Sequence, residues 1–223
     1  MSGERERKWT CAQARVPQVA RFLAGRLSPD RAHAAGWVHS VYYDTPDRRF
    51  LREKLDSDFR KTKVRVRWYE DDDGALLSPD AYLEVKSKRG SSRTKTRLEV
   101  PLGAAEIRRL PFSDARLRAL PDLARRSGEH LPSPLIPVLV VRYRRRRFFD
   151  PVTRSRVCLD DRIQTGTTRR AQSAGARLDQ AVVEVKGSHW DLPEHLVHLY
   201  HLGCRSEAFS KYFTCHLLLH SSP

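Results

Sequence analysis

Glutamate, lysine and arginine recur two residues apart in this chain, with apolar residues between them. The clearest instance is Tyr82-Leu83-Glu84-Val85-Lys86-Ser87-Lys88, in which Leu83 and Val85 alternate with Glu84, Lys86 and Lys88. The same design appears at Glu4, Glu6 and Lys8, at Lys63-Val64-Arg65-Val66-Arg67, at Arg93 to Glu99, and at Val183-Glu184-Val185-Lys186. A period of two gives a strand one charged face and one apolar face. The charged faces here are nearly all Lys, Arg and Glu. Brought together, such faces would line a strongly positive cavity holding a few carboxylates, a site for a polyanion and a metal ion. Phosphoryl transfer needs little more than positioning, neutralisation of the phosphate oxygens and an in-line nucleophile. Mg²⁺ or Mn²⁺ bridging those oxygens would be held by one or two carboxylates plus water. Glu4, Glu6, Glu84 and Glu184 are the inward-facing candidates. A Glu beside a Lys also balances charge in a cavity, so alternation alone does not separate metal ligands from charge partners.

Composition narrows the classes. The chain has 223 residues, 39% of them hydrophobic, enough for one sizeable core or at most two small ones. Its net charge of +15 favours phosphate-bearing partners. No stretch approaches the roughly 18–20 consecutive apolar residues of a membrane span, and Met1 to Lys8 carries no apolar secretory region. The four cysteines (Cys11, Cys158, Cys204, Cys215) form no C-x-x-C pair, which fits reduced thiols in the cytoplasm better than a zinc site. No glycine-rich phosphate loop and no nucleophile elbow is present. Phosphate must be bound by side chains.

The elements that would position the charged faces follow from pattern. Residues 4–10 predict a first strand. Pro17 to Leu27 predicts a helix, with Pro17 in its first turn and Val19, Phe22, Leu23 and Leu27 at helical spacing. Val38 to Asp44 predicts a strand broken at Thr45-Pro46. Lys61 to Glu70, Tyr82 to Lys88 and Arg93 to Pro101 predict a three-stranded meander. The acidic Glu70-Asp71-Asp72-Asp73-Gly74 lacks calcium-loop spacing and reads as a hairpin tip. Ala104 to Leu110 and Ala115 to Ser127 predict two short helices outside the sheet. Leu135 to Phe149 predicts a long strand whose Arg144–Arg147 run presents arginine to both faces or forms a docking patch; period alone does not say which arginine points inward. Arg156 to Asp160 and Ala181 to Lys186 predict strands, and residues 162–178 a loop. Pro193 to Leu202 predicts a helix whose His195, His198 and His201 read as a solvated face, and Phe213 to Leu219 a last helix.

Taken in order, the motifs resemble the triphosphate tunnel metalloenzymes, and within them the catalytic domain of the vacuolar transporter chaperone (VTC) complex. The resemblance rests on Glu4-x-Glu6-x-Lys8, Tyr43-Asp44-Thr45-Pro46-Asp47, Lys61 to Tyr69, Glu84-Val85-Lys86, Tyr143-x-Arg145-x-x-Phe148, Arg156 to Asp160, Val183 to Gly187 and Phe209-Ser210-Lys211-Tyr212. It implies a mainly β (α+β) fold: an eight-stranded antiparallel barrel tunnel with a few helices packed outside, as one domain over 1–223. It implies an ATP-dependent polyphosphate polymerase that transfers the γ-phosphate of ATP to a growing inorganic chain, releases ADP and requires Mn²⁺ or Mg²⁺. Carried over residue by residue, Lys8, Arg65, Arg67, Lys86, Arg145, Arg156 and Lys211 would act on the reacting phosphates. Lys95, Arg97, Lys88 and Lys186 would bind the triphosphate or product chain. Glu184 would be the leading metal ligand and Glu6 the second. The implied partners are ATP and polyphosphate or triphosphate, with no specific nucleic acid and no membrane span. Two other readings stay open on the sequence: a tunnel-type hydrolase of inorganic, nucleoside or thiamine triphosphate, and a polyphosphate-binding module without turnover.

Overall fold

The structure is a computed structural model, described for residues 5–56, 59–90, 92–167, 175–188 and 192–220. Glu4 lies outside these residues. In chain order the elements are β1 (Arg5–Ala12), α1 (Val16–Ala24), β2 (Ser28–Pro29), β3 (Ala35–Asp44), α2 (Arg49–Leu55), β4 (Arg60–Glu70), β5 (Tyr82–Arg89) and β6 (Ser92–Glu99). Then follow α3 (Ala104–Ile107), α4 (Ala115–Ala119), α5 (Pro121–Arg126), β7 (Ile136–Phe149), β8 (Arg156–Gly166), β9 (Ala176–Arg177), β10 (Gln180–Gly187), β11 (Arg205–Ser206) and α6 (Lys211–His220). Among the described residues the sheet has eleven strands, eight of them longer than two residues, rather than the eight of the expected barrel. The strand order is β11-β1-β10-β8-β7-β3-β4-β5-β6. Its two ends, β11 and β6, are not paired to each other among the described residues, so the mainly antiparallel class holds without a closed ladder.

Contacts divide the chain into two compact units, each with its own core. The first comprises Met1–Trp37, Tyr143–Ile163 and Arg177–Ser210. Its β1 runs antiparallel to β10, which runs antiparallel to β8. One face of these strands, carrying Trp9, Val157, Leu159, Val183 and Val185, buries against Val19, Phe22 and Leu23 of α1 and against Leu196 and Leu199. Helix α1 begins with Pro in its first turn, where the missing N–H costs nothing. It ends three residues earlier than expected, at Ala24, although Leu27 still packs in the core. The segment Glu194–Leu199 is a 3-10 helix rather than the longer helix expected, and His195 pairs with the buried Asp150 at 3.1 Å.

The second unit comprises Val38–Arg142, Gln164–Ala176 and Lys211–Pro223. Strands β4, β5 and β6 form the meander, with Val64, Val66, Trp68, Leu83 and Val85 packed against Ile107, Leu117 and Leu120 of the α3–α5 region. Asp44 closes β3 and caps α2: its carboxylate accepts from the backbone N–H groups of Phe50 and Leu51 and from the Tyr212 hydroxyl. That explains Tyr43-Asp44-Thr45-Pro46-Asp47 as a strand-to-helix joint. Strand β8 continues to Gly166, where a loop was expected, because Ile163 and Thr165 keep the buried alternation and Thr165 donates to the Val140 carbonyl at 2.8 Å.

Candidate functional site

In the first unit, register sets four charges side by side. Lys8 lies opposite Glu184, and Glu6 opposite Lys186, on β1 and β10. Lys8 Nζ is 2.9 Å from Glu6 Oε1 and 3.9 Å from Glu184 Oε2; Lys186 Nζ is 2.7 Å from Glu184 Oε1 and 3.5 Å from Glu6 Oε2. Lys8 also donates to the Phe209 carbonyl at 3.2 Å. Burial and the Glu184 charge push the Glu6 carboxyl up, but Lys8 and Lys186 outweigh them and its net shift is downward. Burial disfavours the Lys186 ammonium, yet Glu184 and Glu6 raise its pKa. Both groups are therefore charged at neutral pH. On β8, Arg156 lies opposite Lys186 and Cys158 opposite Glu184. Gly187 permits this approach, because a side chain there would collide with Ser155.

Arg145 on β7 forms a bidentate pair with Asp160, Nε to Oδ1 at 2.6 Å and Nη2 to Oδ2 at 2.7 Å. Asp160 is fully buried, and it holds the Arg145 guanidinium charged despite burial. Asp160 thus acts as an arginine partner, a question the sequence left open. The neighbouring Cys158 thiol is pushed up by burial, so it is not an activated nucleophile.

In the second unit, the β4–β5–β6 register stacks cations in rows. Lys63 faces Lys86, which faces Lys95; Lys61 faces Lys88, which faces Arg93. The next row is Arg65, Glu84 and Arg97. Glu84, 2% exposed, accepts from Arg65 Nε at 2.9 Å and Nη2 at 2.6 Å. Arg67 Nη1 is 3.6 Å and Lys95 Nζ 3.7 Å from the same carboxylate. Burial would raise the Glu84 carboxyl, but Arg65 and Arg67 drive it far below the usual carboxylate range. Arg65 also donates to the Tyr42 hydroxyl at 3.1 Å, Arg67 to Ser40 Oγ at 3.3 Å, and Arg97 covers the Tyr82 ring at 3.8 Å. The Tyr42 ring stacks on Tyr212, which follows Lys211 at the start of α6.

Of the sequence-predicted site residues, Glu4 lies outside the described residues, and the others are divided between the two units. Glu6, Lys8, Arg145, Arg156, Glu184 and Lys186 belong to the first unit, and Arg65, Arg67, Lys86, Lys88, Lys95, Arg97 and Lys211 to the second. Tyr42, Ser40 and Lys63 were not selected as site residues. Lys63 was visible in the β4 alternation, whereas no local pattern points to Tyr42 or Ser40. Among the described residues no three His, Cys, Asp or Glu side chains converge as a metal cage. Mg²⁺ or Mn²⁺ taking one or two carboxylates plus phosphate oxygens needs no cage, and the adjacent Glu6 and Glu184 fit that demand. Glu84, enclosed by two arginines, fits it less well.

Comparison with known proteins follows the same lines. No curated protein matches the sequence. Among solved structures, a Bacillus halodurans protein provisionally named an adenylate cyclase matches with a TM-score of 0.51 at 15% identity, over 93% of this chain and 95% of that one. A Vibrio parahaemolyticus protein, named in the same provisional way, matches at 0.47 and 12% identity, over 92% and 94%. The Mimivirus capping-enzyme triphosphatase matches at 0.39 and 10%, over 89% and 88%. The first likeness shows the fold. The VTC domain family matches residues 4–220, a span holding both charged groups, and the chain belongs to that family.

Proposed function

We propose that the protein is a metal-dependent polyphosphate polymerase that transfers the γ-phosphate of ATP to a growing inorganic polyphosphate chain and releases ADP. The observation that carries this reading is the pair of like-charged rows on β4, β5 and β6. Like charges directly opposite one another destabilise a sheet, and a phosphate chain with a charge on every unit offsets that cost along its length. Family membership adds the expectation of a triphosphate-type ligand.

The residues divide the work. Lys86, Lys88, Lys95 and Arg97, with Arg65 and Arg67 oriented by Glu84, neutralise phosphate oxygens and hold the chain in line. Lys211 joins them from α6, and Lys8, Lys186, Arg145 and Arg156 do the same in the first unit. Glu184 and Glu6 are the carboxylates that would hold Mn²⁺ or Mg²⁺, which when bound polarises phosphate oxygens and neutralises developing charge. The chain's terminal phosphate oxygen forms the new P–O bond as the bond between the γ-phosphorus and the bridging oxygen of ATP breaks. That oxygen leaves with ADP. The nucleophile is already anionic, so no general base is required.

The test is incubation of the purified protein with ATP and Mn²⁺, following ADP and long-chain polyphosphate together. ADP with polymer is the expected result. Free phosphate without polymer would move the protein to the hydrolase reading, and tight polyphosphate binding with neither product would leave a binding module.

A further inference from the structure

The Arg144–Arg147 run has a second consequence in the first unit. Arg145 pairs with Asp160, and the next residue on each strand points to the opposite face, where Arg146 Nη2 lies 3.4 Å from Asp161 Oδ2. This face carries a cavity of about 730 Å³ under α1, within the usual range for small-molecule sites. One wall is apolar, formed by Val16, Pro17, Ala20 and Phe148; the rim carries Arg21, Arg147, Arg162 and Arg177. Among the described residues neither Arg21 nor Arg177 pairs with a carboxylate. Asp161 is fully buried, and neither of its carboxylate oxygens accepts a hydrogen bond, although Arg146 and Arg162 approach it at 3.4 and 3.7 Å. Arg162 is held in a left-handed turn, φ 51°, by its N–H donated to Gln13 Oε1 at 3.0 Å.

A buried carboxylate without hydrogen bonds costs stability until a donor reaches it. Burial also raises its pKa against the pull of Arg146, as expected for an acceptor still lacking donors. A ligand matching all three features carries an anionic group for the rim, hydroxyl or amino donors for Asp161, and a flat apolar face for the α1 wall. Bare polyphosphate supplies only the first and would meet Asp161 as a like charge; an acyl chain supplies only the last. We propose that this cavity binds a nucleoside 5′-phosphate, its phosphate on the arginine rim and its hydroxyl or amino groups on Asp161. The inference goes beyond the polymerase reading and does not depend on it.

The test is photolabelling of the full chain with 2-azido-AMP under saturating tripolyphosphate, which occupies sites that read phosphate alone. Saturable label on peptides from residues 13–35 or 146–162, competed by AMP but not by adenosine, is expected. Arg21→Ala, on the exposed face of α1, weakens labelling about tenfold, the size of one charge-assisted contact. Asp161→Asn, if it folds, weakens competition by AMP. Label that does not saturate, that falls only on other peptides, or that is unchanged in Arg21→Ala overturns the proposal.

Discussion

Glu84→Gln separates a charge partner from a metal ligand. The Glu84 side chain is 3% exposed, and its closest partners, Arg65 and Arg67, are 13% and 8% exposed. Removing one member of a buried ion pair costs about 3–5 kcal/mol, because the remaining charge is left in a poor environment. Lys95 is half exposed and adds little. Gln retains one acceptor oxygen, which places the expected loss near the lower end. For a chain of this size each kcal/mol moves the Tm by about 2–4 °C, so a fall of about 6–12 °C is expected at neutral pH by thermal denaturation. Tripolyphosphate should recover more stability in the variant than in the wild type, since it replaces the missing negative charge and no longer meets Glu84. The acid limb should change as well. The folded carboxyl lies below its unfolded value of 4.5, so its contribution is present above that pH and is lost as pH falls through the acid range; the variant should lack this slope. A Tm shift below about 2 °C with metal-dependent turnover abolished would refute the reasoning and make Glu84 a metal ligand.

The converse holds for Glu184→Gln: turnover should fall about a hundredfold or more, since a bound metal supplies several kcal/mol to the transition state, while polyphosphate binding is kept or strengthened in a filter-binding assay. Lys86→Met breaks the Lys63–Lys86–Lys95 row, so the ligand-free protein should gain about 0.5–1 kcal/mol in a denaturant melt, while tripolyphosphate affinity falls about tenfold by calorimetry. Arg145→Lys loses the two-point contact with Asp160 and should not behave as a conservative change: activity and stability both fall. His216, held at about 4 by burial with His220 and Arg48 adding to the effect, contributes stability that is present above about 6.5 and lost as pH falls toward 4. Melts of His216→Gln across that window should lose this dependence, and an unchanged slope would assign it elsewhere.

Much of the fold was legible because period-two alternation survives in the strands that matter. On β4 and β5, Val64, Val66, Trp68, Leu83 and Val85 all lie in the second core, as the alternation predicts, while the buried Glu70 at the end of β4 falls on that same side and pairs with His39. What failed were the ends of elements. Strand β8 was cut at Asp160 because Asp161-Arg162 breaks the apolar alternation, yet Ile163 and Thr165 resume it as fully buried residues. The segment after Pro193 has a helical pattern but folds as a short 3-10 helix, with Leu196 and Leu199 both in the first core.

Site residues followed the same division between period and phase. Within a strand, spacing says that Glu84 and Lys86 share a face; it does not say which residue on the next strand lies opposite. The Lys63–Lys86–Lys95 row and the position of Glu84 between Arg65 and Arg97 are properties of register, fixed by the tight β5–β6 connection and by the buried side of the meander. Tyr42 and Ser40 were invisible for that reason: each acts on an arginine two strands' worth of sequence away. The Arg144–Arg147 run shows the limit most directly. Four consecutive arginines carry no alternation, so their phase is set by what they meet. Asp160 and Asp161 are consecutive too, and therefore point to opposite faces. One captures Arg145 by two hydrogen bonds and the other lies against Arg146. The acidic pair on β8 thus gives the basic run on β7 the phase that the arginines themselves cannot encode. Exchanging Asp160 with Asn should release Arg145 while leaving the Arg146 face intact, an outcome readable as lost turnover with 2-azido-AMP labelling unchanged.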